Sequence, residues 1–156
     1  MLFLIGIILI KDIMKEYIEK LKEACKEHSL RYTTQREKVF LAVAGTKTHP
    51  NVKAVFDKVR EEICDISIDT VYRNLQTLEE LNLIFRVDNQ IPMARFDADL
   101  NQHAHFLCSE CGAVFDIPLT SELKLPLEAK NFGETQRINL QIRGICNECL
   151  AERTLK

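Results

Sequence analysis

Nine consecutive residues, His103 to Cys111 (HAHFLCSEC), hold four good metal ligands. A single tetrahedral ion can take two imidazoles and two thiolates, so the count alone leaves open whether they serve one ion or two. The stretch is rich in β-compatible residues and bounded by polar ones. Its first half therefore reads as a strand, in which successive side chains point to opposite faces. His103 and His105 then share a face, and Cys108 has the other parity. The expectation is two half-sites whose remaining ligands lie elsewhere in the chain.

The thiol side is completed by spacing. Of six cysteines, four form two Cys-x-x-Cys pairs, Cys108/Cys111 and Cys146/Cys149, with 34 residues between the pairs. Two such knuckles satisfy a closed, four-coordinate structural Zn2+ in a reducing cytoplasm, in preference to a redox dithiol or a disulfide framework. Cys25 falls on the apolar stripe Met14, Ile18, Leu21, Cys25, and Cys64 ends a later helix. Both are expected to be buried, inert thiols.

The imidazoles need partners of another kind. Asp97 closes a strand-like run, Asp116 follows the first knuckle, and His49 stands in a His-Pro turn. With His103 and His105 they make a set of three nitrogens and two oxygens. Such donors are harder than thiolates and suit Fe2+ or Mn2+, although Zn2+ also binds them, and five ligands leave a sixth position open. Nothing in the sequence offers a substrate pocket or a general base for hydrolysis, so an enzyme is not expected.

The elements that must position these groups occupy 156 residues, enough for one ordinary domain or two small ones. The formal charge is -2, and residues 14–92 carry 13 Lys/Arg against 13 Asp/Glu. Bulk electrostatics thus makes no case for nucleic acid, and any DNA contact must come from local placement. The apolar opening MLFLIGIILI is too short to span a bilayer and lacks a basic n-region and a cleavage site. Residues 1–13 read as a non-native extension ahead of a true start at Met14, with no membrane partner; a short membrane-associating or signal segment is the competing reading.

Four helices are expected. The first runs from about Met14 to His28. The second follows a Thr34-x-x-Glu37 capping box through Val39, Phe40 and Val43 to Gly45. The third comes after His-Pro-Asn and buries Val52, Val55, Phe56, Val59 and Ile63. The fourth is capped by Ser67, with Ile68, Val71, Leu75 and Leu78 as its stripe. The runs LNLIFRV and MARFD around the turn DNQ read as a hairpin, so helices followed by a hairpin give a winged helix-turn-helix over 14–93. A hinge at 94–102 then leads to a small α/β domain at 103–156, making the fold class α+β. In that domain AVFDI and TQRINLQIRG read as strands, and a helix around 121–131 is weakened by Pro126. A recognition helix presents its N-terminal residues to base edges, so Thr70, Tyr72, Arg73 and Asn74 are candidate readers, with Arg31, Gln35 and Arg36 as candidate phosphate contacts.

The segments RYTTQR, THP, SIDTVYRNLQTLEELNLI, ARFD, HAHFLCSECG and GICNEC, in this order, resemble the Fur family of bacterial metal-dependent repressors from Met14 onward. The resemblance implies a homodimeric winged-helix repressor that binds a double-stranded DNA operator. It implies a structural zinc at Cys108, Cys111, Cys146 and Cys149, and a regulatory metal at His49, Asp97, His103, His105 and Asp116. Asp97, the His-x-His pair and Asp116 are most similar to the peroxide-sensing (PerR) branch, where iron-catalysed oxidation of a ligand histidine, His49 or His103 here, releases the DNA. Peroxide would then be the only small molecule involved, as a signal. The alternatives are a repressor of metal uptake responding to iron, zinc or manganese and, from another class, a thiol-disulfide oxidoreductase. Thr34 stands where the family usually has proline, RINLQIRG lacks a histidine that some relatives supply, and Pro126 interrupts the helix expected in the dimer domain.

Overall fold

A computed structural model describes residues 2–87, 94–120, 126–135 and 138–154. It divides into two compact units, Met1–Leu100 and Asn101–Lys156. Among the described residues no helix is long and apolar enough to cross a membrane.

The first unit opens with α1 (Leu2–Glu27), α2 (Thr34–Ala44), α3 (Val52–Arg60) and α4 (Ile68–Glu80), followed by an antiparallel ribbon of β1 (Phe85–Arg86) and β2 (Phe96–Asp97). Its core is one cluster in which Leu21 and Cys25 of α1 meet Val39, Phe40 and Val43 of α2, Val55 and Val59 of α3, and Val71, Leu75 and Leu78 of α4. Phe40 sits edge-on to Tyr17 with ring centroids 5.6 Å apart. The ribbon follows α4 as a wing and is fastened to it, because Arg86 Nε donates to both carboxylate oxygens of Glu79 at 2.8 and 3.0 Å. This is the winged helix-turn-helix expected from the helical periods. The hairpin's turn, DNQ, and Met93 lie outside the described residues.

Several boundaries differ from expectation. Helix α1 begins at Leu2 and not at Met14, since no proline interrupts the run upstream. The cap of α2 is Thr33, whose hydroxyl accepts from the Arg36 N–H at 3.2 Å, one residue before the expected capping box. Thr34 is thereby the first helical residue, the position where proline is at home because its missing N–H would have no partner there. Ser67 caps α4 as expected, accepting from Thr70 N–H at 3.1 Å. Ile68 is half exposed, however, and Asn74 takes the inward position beside Leu75. Cys25 is buried, whereas Cys64 is exposed, because the chain leaves α3 before reaching it.

The second unit is a three-stranded sheet in the order β4-β3-β5, with β3 (His103–Cys108) in the middle. It pairs antiparallel with β4 (Val114–Pro118) and parallel with β5 (Leu140–Gly144). The described part of the segment around 121–131 is a short 3-10 turn, Leu127–Asn131, directly after Pro126, where the fixed proline backbone starts a new turn; residues 121–125 lie outside the described residues. The expected strand over TQRINLQIRG is realised only from Leu140 onward, with 136–137 outside the described residues. A final helix, α5 (Asn147–Thr154), has Glu148 in its first turn and Arg153 in its last, which complements the helix dipole.

Candidate metal centres

The sulfur cluster is assembled from both ends of the second unit. Strand β3 delivers Cys108 and its turn delivers Cys111. That turn closes through Gly112, whose N–H donates to the Cys108 carbonyl at 3.0 Å and whose φ of 67° is the left-handed conformation glycine adopts at no steric cost. Cys146 follows β5, and Cys149 lies on the first turn of α5. Parallel pairing of Cys108 with Gly144 brings the second knuckle beside the first.

Four sulfurs about 2.3 Å from one tetrahedral ion stand about 3.8 Å from each other. Cys108 and Cys149 Sγ are 3.9 Å apart, and Cys111 and Cys146 Sγ are 3.8 Å apart. Backbone N–H groups also point at the sulfur of Cys108, that of Cys146 from 3.3 Å. These donors favour the thiolate and lower the Cys108 pKa to about 6, while the neighbouring sulfurs push Cys149 upward. A preformed quartet with one thiol already inclined to ionise fits a closed thiolate metal site. Arg153 Nε donates to Glu110 at 2.8 Å and ties α5 to the first knuckle.

The nitrogen and oxygen donors come from both units. In the second unit, His103 and His105 lie on one face of β3, as strand parity requires, and the register sets Asp116 of β4 directly opposite His105. The two Nε2 atoms are 2.9 Å apart, and Asp116 Oδ1 lies 3.4 Å from that of His103 and 3.6 Å from that of His105. His103 Nδ1 is 2.9 Å from the Asn101 carbonyl. A carbonyl only accepts, so a proton on Nδ1 serves this contact and leaves Nε2 as the ring atom of His103 suited to a metal. Two ring nitrogens and a carboxylate oxygen this close together make a donor set that one cation could share. Asn101 was not visible as a contributor in the sequence, because it acts through its backbone.

In the first unit, His49 is 2 % exposed and its Nε2 lies 3.5 Å from Asp97 Oδ2. A histidine in a His-Pro turn would ordinarily sit at the surface; this one is buried because the turn is laced to β2. Phe96 N–H donates to the Pro50 carbonyl at 3.1 Å, and Arg95 forms a bridge with Asn51. Asp97 is in turn held by the Asp99 N–H, which donates to Oδ1 at 2.8 Å.

The candidate DNA readers separate. Tyr72 and Arg73 stand on the exposed face of α4, and Thr70 is half-buried, its hydroxyl 2.9 Å from that of Ser67. Asn74 does not join them: it is buried, with Nδ2 donating to the Thr70 carbonyl at 2.8 Å. Arg31 and Gln35 are exposed. Arg36 is turned inward, its Nη1 donating to the Arg31 carbonyl.

The fold and both donor groups can be set beside known proteins. The chain is 26% identical over 139 residues to the peroxide-responsive repressor PerR of Staphylococcus aureus, covering 87% of this chain and 90% of that one. Among solved structures it is similar to the ferric uptake regulator of Helicobacter pylori, with a TM-score of 0.69, 22% identity and coverage of 88% and 93%. It is also similar to the peroxide stress regulator of Campylobacter jejuni, with a TM-score of 0.60, 23% identity and coverage of 85% and 98%. The family model for the ferric uptake regulators matches residues 26–142, and the chain accordingly belongs to the ferric uptake regulator family of metal-responsive transcriptional repressors.

Proposed function

We propose that this chain is a repressor that binds a double-stranded DNA operator as a homodimer, holds a structural Zn2+ in its sulfur quartet, and senses hydrogen peroxide through Fe2+ at its histidine and aspartate ligands. The observation that carries the reading is the donor chemistry of His103 and His105 on β3 and Asp116 on β4, already convergent on one face of the sheet, with His49 and Asp97 as a further buried pair. The S. aureus relative, a peroxide-responsive repressor, supports the same choice of signal.

In this proposal His49, Asp97, His103, His105 and Asp116 share one regulatory ion, which ties the DNA-reading domain, 14–93, across the hinge to the dimer domain, 103–156. Sharing the ion selects the arrangement in which the paired α4 helices, with Tyr72 and Arg73 outward, match two half-sites. Fe2+ held there would promote cleavage of the O–O bond of peroxide; in the net change one oxygen enters a ligand imidazole C–H, the ring being oxidised by two electrons, and the other oxygen leaves as water. His49 or His103 is the ring modified. The oxygenated ring is urea-like, both nitrogens carry protons, and it no longer offers a lone pair. One of the five ligands is lost, the ion is held poorly, and the operator is released. With Mn2+ the same ligands hold the repressor on DNA through peroxide exposure.

The test is operator binding by the Fe2+ and Mn2+ forms with and without peroxide, followed by peptide mass mapping. One added oxygen on His49 or His103, in the Fe2+ form alone and together with loss of DNA, is expected. Oxygen found only on cysteines refutes the sensing chemistry. A second reading rests on the same donors, which also accept Zn2+ or Mn2+: a repressor of metal uptake would release DNA on chelation and ignore peroxide.

A further inference from the structure

Three described non-glycine residues have positive φ: Ser29, His49 and Asn82. Ser29 and Asn82 follow the ends of α1 and α4, where one left-handed residue closes a helix routinely. His49 has no such excuse. It lies between the end of α2 at Gly45 and the Asn51 cap of α3, with φ at 50°, and it precedes Pro50, which narrows its backbone choices further. A bulky residue stays in that conformation only where its surroundings hold it.

Beside the backbone contacts of Phe96 and Asn51, the side chain that reaches it is that of Arg95. Its Nη1 donates to the His49 carbonyl at 3.2 Å, while its own carbonyl accepts from Val87 N–H at 2.9 Å, anchoring it to β1. Strand parity makes this economical. Arg95, the bridge residue immediately before β2, and Asp97 are two apart in extended chain and so share a face, whereas Phe96 between them points into the core. One strand thus presents a clamp to the backbone of His49 and a carboxylate to its ring.

We propose that Arg95 is a positioning residue for the regulatory metal, its guanidinium holding His49 in the left-handed turn that aims the imidazole at Asp97. The proposal rests on the reading of His49 as a ligand. Arg95 also carries positive charge near a cation site, and by charge alone its removal would tighten metal binding. Positioning predicts the opposite sign, so the two roles separate experimentally.

The experiment uses the full, zinc-replete chain and measures Mn2+ affinity for wild type, Arg95→Met, Arg95→Lys and His49→Ala. Arg95→Met keeps the aliphatic stem and removes the donor, and it is expected to bind Mn2+ about tenfold more weakly, the scale of loss for outer partners of metal ligands. Arg95→Lys, which retains a donor and the charge, recovers most of the affinity. At saturating Mn2+ operator binding returns in Arg95→Met, which a general loss of structure would not allow. Unchanged or tighter Mn2+ binding in Arg95→Met, with weakened binding in His49→Ala, overturns the clamp and leaves the ligand assignment standing. Normal binding in His49→Ala overturns both. Should Arg95→Met lose cooperative melting, Arg95→Gln decides: a neutral donor that preserves affinity upholds the clamp, and one that tightens binding overturns it.

Discussion

Chelation of the ion in the sulfur quartet is expected to unfold the second unit while the first stays folded. Among the described residues the second unit buries only Ala104, Leu107, Cys108, Val114 and Cys146 as hydrophobic side chains, and two of these are proposed ligands. The remaining three include one alanine, so full burial contributes only about 1.5–3 kcal/mol for each of Leu107 and Val114. A structural thiolate zinc contributes about 10–16 kcal/mol at neutral pH, comparable to or above the whole stability of an ordinary domain. Loss of the ion therefore exceeds anything the small core retains. Hydrogen exchange resolves the two units directly. After chelation, or in Cys111→Ser, the amides of Ala104–Cys108 and Leu140–Gly144 should exchange at nearly unprotected rates, while those of α2 and α4 remain protected. Retained protection in β3 and β5 after stoichiometric zinc removal would refute the reasoning.

Other consequences follow from the first unit. Thr34→Pro should leave the melting temperature unchanged or slightly raised, since position 34 opens α2, whereas Thr33→Ala should cost about 1 kcal/mol by removing the cap; calorimetry on both variants distinguishes this from a cap at Thr34. Phe40→Ala, at a position 1 % exposed, should cost about 3–5 kcal/mol in denaturant unfolding. On α4, Arg73→Ala should reduce operator affinity about tenfold or more in a binding titration. Asn74→Ala should instead cost about 1 kcal/mol of stability and leave base preference unchanged, because its amide is spent on the Thr70 carbonyl.

The residues differ in how far their roles were legible. The parity of β3 separates the imidazoles from Cys108 whatever surrounds the strand, and the two Cys-x-x-Cys knuckles announce a quartet by spacing. The periods of α2, α3 and α4 mark their buried faces, and Ser67 marks a start. These are local regularities, set by 3.6 or 2 residues per repeat and by side chains within a turn of their targets. Asp116 is a different case: a slip of one residue between β3 and β4 would turn it to the opposite face, and only the pairing of the whole strand excludes this. The inward turn of Asn74, the cap at Thr33 and the exposure of Cys64 depend on packing that no period encodes. His49 is the furthest from sequence. Its burial, its left-handed backbone and its approach to Asp97 arise because β2, nearly fifty residues away in the chain, folds back and grips the turn by its carbonyls. Local chemistry marked the candidate ligands, and long-range strand pairing aimed them.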